Sequence, residues 1–220
     1  MNLETFKQML ETALEHIRER EDTFSRLDAL TGDGDHGTAI VTALSAALKV
    51  AEKGTDFKTI LNDMGFAVMM ETSGSTSTLL GAFFLGMSDV VTSAELTVEE
   101  VKAMFAGGLA SVRKQTKASV GDKTMMDALA PAVEALVACQ SEDMGGLFAA
   151  AAAAAQLGAV ATVGMVARFG RARNYGERSV GIMDAGAASW SALFSAFATF
   201  FSTENTEGHR DSQRKIINYG

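Results

Sequence analysis

Most segments of this chain place apolar residues three and four apart, the spacing that lines one face of a helix. Phe6, Leu10, Ala13 and Ile17 form the first stripe, and Phe24, Leu27 and Leu30 follow at the same spacing. Helices are predicted over about 37–53, about 56–71 with Asp56 as its cap, and about 77–91, which carries Leu79, Leu80, Phe83, Phe84 and Met87. Thr97 and Glu100 make a capping box that opens a helix to about 116. Gly121 introduces the next, about 123–140, and Pro131 inside it predicts a kink or break, because proline removes a backbone donor. Two long helices follow, over about 144–168 and 185–203. Strand patterns are scarce, links are short, and no Ser/Pro-rich linker or shift in composition divides the chain. The expectation is all-α: one domain of about eight helices over 1–220, with a polar tail from about 203.

Two uncharged runs need a membrane test. Gly145–Ala167 is long enough to span a bilayer, but consists mainly of Ala and Gly, which suits close helix approach in a bundle interior. Ala185–Ser202 carries Trp190, Leu193, Phe194, Phe197 and Phe201 on one stripe, with Ser191, Ser195, Thr199 and Ser202 largely elsewhere. That is an amphipathic core helix, and Trp190 reads as core. No membrane span is expected.

Composition narrows the function classes. The 220 residues include 13 Phe and 12 Met and are 47% hydrophobic, enough for a sizeable core. A formal net charge of −8 argues against nucleic acid or an anionic membrane as partner, since both select basic surfaces. The single cysteine, Cys139, excludes a disulfide framework and lies on an apolar face with Ala135 and Leu136. The acidic, polar start Met1-Asn2-Leu3-Glu4 is not a signal peptide, so a cytoplasmic location is expected.

The chemistry centres on Leu27–Gly37, where Asp28, Asp33 and Asp35 fall in one loop broken by Gly32, Gly34 and Gly37. Asp33 and Asp35, two apart, leave an extended backbone on the same side. Three like charges this close are either a solvated turn or the oxygen ligands of a hard cation such as Mg²⁺. Gly32-x-Gly34-x-x-Gly37 matches a dinucleotide fingerprint only literally, because a helical pattern and not a strand precedes it. An EF-hand starting at Asp33 would need Glu at its twelfth position, which holds Leu44.

Three further stretches bear on the same question. Thr72–Thr78 puts hydroxyls and Gly74 before an apolar helix, which is either a plain cap or an anion cradle; no Walker A lysine accompanies it. Val120–Asp127 is a polar loop leading into a helix, in which Asp122 favours the helix start and Lys123 is read as solvated rather than as a phosphate ligand. Arg168–Ser179 concentrates Arg168, Arg171, Arg173 and Arg178 in an otherwise acidic chain, and Arg offers bidentate donors to phosphate. Met183-Asp184-Ala185-Gly186 follows at the head of the last helix.

In order and spacing, D-A-L-T-G-D-G-D-H-G, G-D-K-T-M-M-D-A-L-A-P, G-R-A-R-N-Y-G-E-R-S-V-G and D-A-G resemble the nucleotide-binding L subunit of dihydroxyacetone kinases, the Dak2-type domain, from about Leu27 to about Phe200. The resemblance implies an eight-helix antiparallel barrel holding ADP or ATP through Mg²⁺ at one end. It makes Asp28, Asp33 and Asp35 metal ligands, with Asp33, Asp35 and Arg171 in the chemistry. It assigns His36, Gly37, Ser75, Thr76, Gly121, Arg171, Asp184, Ala185 and Gly186 to the nucleotide. Ser73–Thr78 departs from the family's Gly-Gly-Ala-Ser-Gly-Pro, and Ala185 replaces the proline of Asp-Pro-Gly. The implied partner is a K-type subunit that holds a small ketose such as dihydroxyacetone, with a phosphocarrier protein as alternative phosphate donor. A second copy of the chain is a further possible partner. The rival reading outside enzymes is a nucleotide sensor regulating a kinase or transcription factor.

Overall fold

The computed structural model describes residues 1–71 and 74–217, the side chains beyond Ser202 excepted. Thr72 and Ser73 of the expected anion cradle, and the end of the tail (218–220), lie outside the described residues.

The described residues form α1 (Leu3–Arg18), α2 (Glu21–Ala29), α3 (His36–Ala51), α4 (Phe57–Glu71), α5 (Ser75–Ser88), α6 (Val98–Gln115), α7 (Met126–Ala138), α8 (Met144–Ala161) and α9 (Ala185–Ile217), with short 3₁₀ segments at Thr162–Gly164 and Arg171–Ser179. They include no strand. Eight helices pack side by side in the order α1, α3, α4, α5, α6, α7, α8, α9, and α9 returns to α1, so the ring closes. The heads of alternate helices, α3, α5, α7 and α9, share one cavity, so neighbours in the ring run antiparallel. The short α2 stands outside the ring, against α3 and α9.

The ring is filled by the apolar stripes. Phe105 of α6 sits among Phe83, Phe148, Phe194 and Phe197, with ring centroids 5.8, 5.4, 6.0 and 6.3 Å away, joining α5, α6, α8 and α9 through mostly edge-on contacts. Such pairs add roughly 0.5–1.5 kcal/mol each beyond area burial. In α8, Leu147, Ala151, Ala155 and Ala159 are buried at every fourth position, while Leu157 and Val160 face outwards. Met144–Gly164 is long and apolar enough to cross a membrane, but the stripe it buries here packs against α7 and α9 as a core helix.

Three boundaries differ from the expectation. The helix from 144 stops at Ala161, where Thr162 Oγ1 turns back to Ala159 O (2.6 Å) and a 3₁₀ turn follows, so residues 165–168 are not helical. The last helix runs past 203 to Ile217, since a polar run without proline has no intrinsic stop. Finally, α7 passes through Pro131 without a break. Proline there removes the donor for the carbonyl four residues back, that of Asp127. Gly158 of α8 lies directly against this carbonyl: an added Cβ would sit 1.8 Å from Asp127 O.

That contact sets two effects of opposite sign against each other. Alanine in a helix interior is favoured over glycine by about 1 kcal/mol. The methyl group, however, would meet backbone oxygen, and overpacking of this kind costs about 1–3 kcal/mol or more. Gly158→Ala is therefore expected to lower the melting temperature by several degrees in a thermal unfolding experiment, and a rise would show that α7 and α8 separate freely here.

Candidate functional site

Alternation around the ring brings the N-termini of α3, α5, α7 and α9 to one end. There, Asp35 and His36, Gly74 to Thr76, Thr124 to Met126, and Asp184 to Gly186 line a single cavity of about 350 Å³. The helices that begin at the other end are capped by their own side chains: Asn2 for α1, Asp56 for α4, Thr97 for α6 and Asp143 for α8. By contrast, the N-cap residues of α3, α5 and α7 (Asp35, Gly74 and Met125) make no side-chain cap hydrogen bond. At this end Thr124 Oγ1 accepts from Met126 N–H (3.2 Å) and Asp184 Oδ2 from Ala187 N–H (2.7 Å), so the N–H groups facing outward are those that open α3 and those of Ser75 and Thr76 in α5. With the positive ends of four helix dipoles they dispose this end of the ring toward an anion.

The carboxylates stand at its rim. Asp28, Asp33 and Asp35 each offer an oxygen within 4.8 Å of the others, Asp28 half-buried and the other two exposed. The loop is fixed locally by Gly34, at φ +80°, whose N–H donates to Asp28 Oδ2 (2.8 Å). Gly32 leaves no room for a side chain, since a Cβ there would meet Asp28 Oδ1 at 2.3 Å. Arg171 reaches over from the 3₁₀ segment to pair with Asp33 and lies 3.9 Å from Asp35. An all-oxygen, triply negative donor set beside free N–H groups fits Mg²⁺ shared with phosphate oxygens.

His36 is a junction. Its Nε2 is 2.9 Å from Ser189 Oγ and its Nδ1 is 3.2 Å from Thr76 Oγ1, joining α3 to α9 and α5. Since Ser189 Oγ donates to Gly186 O (3.0 Å), it receives Nε2–H, and Nδ1 accepts from Thr76. Burial holds the imidazole pKa below its usual value, against the pull of Asp28 and of the Ala185 carbonyl.

On the far wall, burial pushes the Asp184 carboxyl up to about 6, helped by Asp127 and Asp28 and opposed by the Ala187 N–H (2.7 Å) and by Lys123. The folded chain then holds a proton that the unfolded chain releases near 3.8. Stability of the metal-free protein should therefore fall as pH rises from about 4 to 6 and level off above. Asp184→Asn is expected to remove this slope, matching wild type near pH 4 and exceeding it by roughly 1–3 kcal/mol at pH 7 in urea titrations with EDTA.

Of the residues singled out in the sequence, Asp28, Asp35, His36, Ser75, Thr76, Arg171, Asp184, Ala185 and Gly186 line the cavity, and Asp33 joins at the rim through Arg171. Two do not line it. Gly37 is buried where α3 crosses α2, and a Cβ would meet Glu21 O at 2.1 Å. Gly121, at φ +98°, donates its N–H to Asp127 Oδ1 (2.6 Å) and shapes the loop behind the wall. Lys123 corrects the expectation: it is not solvated but 2% exposed, donating to Thr162 O (2.5 Å) and Ile182 O. Burial lowers its pKa, against Asp184 and Asp127. Asp127 was named only as the end of its loop, and Thr162 and Ser189 were not singled out at all; only their places in the fold show what they hold.

A closed ring of antiparallel helices, with four helix N-termini gathered beside a carboxylate cluster, is a helical barrel with one polar cavity at its end. The chain belongs to the DAK2 domain family, whose model matches residues 30–199. It is 34% identical over 184 residues to the ADP-binding subunit DhaL of PEP-dependent dihydroxyacetone kinase 2 of Listeria innocua, covering 79% of this chain and 84% of that one. It is 35% identical over 170 residues to the corresponding Escherichia coli subunit, covering 74% and 80%. A crystal structure of the dihydroxyacetone kinase from C. freundii with AMP-PNP and Mg²⁺ superposes with a TM-score of 0.70 at 26% identity, over 88% of this chain. This chain spans 33% of that kinase.

Proposed function

We propose that this protein is the nucleotide-binding subunit of a two-component kinase, holding Mg²⁺–ADP or Mg²⁺–ATP while a separate K-type subunit presents a small ketose such as dihydroxyacetone. The observation that carries this reading is the convergence of two helix N-termini without a side-chain cap, those of α3 and α5, and the Asp28, Asp33 and Asp35 carboxylates on one cavity. Mg²⁺ bound to these carboxylates would neutralise charge on the phosphate oxygens. The N–H groups heading α3 and α5, with Ser75 and Thr76, cradle the same oxygens, and His36 fixes the orientation of Thr76. Arg171 lies in reach of both the carboxylates and the cavity mouth, where it offsets charge on the transferred group. On this reading transfer is direct and depends on positioning and charge neutralisation, as in other phosphoryl-transfer sites.

The names of the relatives bear on the donor. Several carry the names PEP-dependent or PTS-dependent kinase with an ADP-binding subunit, which favours ADP that stays bound and is rephosphorylated by a phosphocarrier protein. Mass spectrometry of the purified protein is expected to find retained ADP, and a site empty of nucleotide would favour exchange with free ATP instead. Melting temperature should rise with Mg²⁺ and ADP together and little with either alone, by linkage worth about 2.7 kcal/mol at a hundredfold excess over Kd. No such rise would remove the nucleotide reading.

A further inference from the structure

We propose that Lys123 is a positioning residue for the nucleotide cavity, an internal tether that holds its two facing walls at a fixed spacing; this rests on the reading of the cavity as a nucleotide site. One wall is the start of α7, Thr124 to Met126; the other is the start of α9, Asp184 to Gly186. The two belong to segments some sixty residues apart. The Lys123 ammonium spans them: Nζ donates to Thr162 O at the end of α8 and to Ile182 O just before Asp184.

The tether does not act alone. The Asp184 N–H donates to Thr162 Oγ1 (3.0 Å), and Gly181 N–H to Val163 O (2.8 Å). On the other side, Arg168 N–H donates to Asp122 O (3.1 Å), and Asp127 holds both Gly121 N–H (2.6 Å) and Thr124 N–H (2.7 Å). The Lys123 ammonium is where these two sets of bonds meet. Its backbone stands at φ +60°, and it is the one non-glycine residue with positive φ among the described residues. A side chain adopts that conformation only where its surroundings over-determine it. Glycine would relieve the backbone but could not reach the two carbonyls. Both the strain and the buried charge are explained by the span the ammonium bridges.

Lys123→Gly in the full chain tests this, because glycine accepts φ +60° and leaves an open channel the shape of n-butylammonium. Mg²⁺–ADP affinity measured by calorimetry is expected to fall at least thirtyfold, with cooperative unfolding retained. Addition of n-butylammonium should restore at least fivefold, whereas n-butanol should not. In the absence of nucleotide, amide exchange over 181–185 should quicken at least tenfold. Affinity within twofold of wild type, or equal rescue by the alcohol, overturns the proposal. Lys123→Met is the second variant and should show the same loss without rescue. If neither variant folds, Lys123 is a requirement of folding rather than of the cavity, and the proposal fails. Wild type that binds no Mg²⁺–ADP would sink the nucleotide reading instead, while the exchange measurement would still decide whether the walls are tethered.

Discussion

Asp33→Asn is expected to weaken Mg²⁺–ADP binding by at least about a hundredfold while leaving helical content and stability nearly unchanged. Asp33 is exposed, and among the described residues its carboxylate holds no backbone group in place and its one partner is Arg171. Surface substitutions of that kind move stability by about 0.5 kcal/mol or less, and removing one of three crowded negative charges should, if anything, relax the loop. The loss must then appear in the metal. A hard cation held by few protein oxygens depends on each carboxylate, and loss of one such charge disables its share of the phosphate contact. Calorimetry with Mg²⁺ and with EDTA separates the two contributions. Equal ADP affinity under both conditions in the unsubstituted protein would remove the metal from the site.

Arg171→Lys separates an enzyme from a sensor. Arg171 heads the 3₁₀ segment directly after Gly170, at φ +64°, with its side chain exposed at the cavity mouth. Here it pairs with Asp33 and approaches Asp35, the carboxylates assigned to the cation. Two consequences follow. Arginine and metal share the same negative charge, so Arg171→Ala should bind Mg²⁺ alone more tightly than wild type, yet bind Mg²⁺–ADP more weakly. In phosphoryl transfer, charge redistributes in the transition state, and an arginine placed to meet it is worth about 10³–10⁵ in rate. Arg171→Lys keeps the charge but loses the planar fork. Turnover with the partner subunit should therefore drop at least about a hundredfold, with ADP affinity changed less than about fivefold. Equal losses in both would mean uniform binding and favour the sensor. Arg173→Ala, an exposed neighbour with no bonding partner among the described residues, should do little.

What was legible in the sequence is what repeats or clusters locally. Stripes at helical spacing located the ring helices, and the aspartate run, the start of the basic loop and Asp184–Gly186, each singled out locally, lie around one cavity. What was not legible depends on contacts across the ring. Lys123 looks solvated in a Gly-Asp-Lys-Thr run, because nothing nearby in sequence shows that the carbonyls of Thr162 and Ile182 await it. Pro131 looks like a break until Gly158 is seen beside the carbonyl it frees. Gly37 reads as a ligand-loop glycine, yet serves the crossing of α2 and α3. In each case a partner far along the chain decides between two local readings.

The closure of the ring by α9 against α1 has a consequence for how the protein is made. The cavity is assembled from the heads of α3, α5, α7 and α9, and the last of these is synthesised only after residue 184. A nascent chain on the ribosome therefore carries its aspartate loop early but has no complete binding cavity. Until α9 docks, α1 and α8 expose the apolar faces that it will cover, a state in which aggregation competes with folding. A chain that stops short of residue 184 would lack the α9 wall of this cavity altogether.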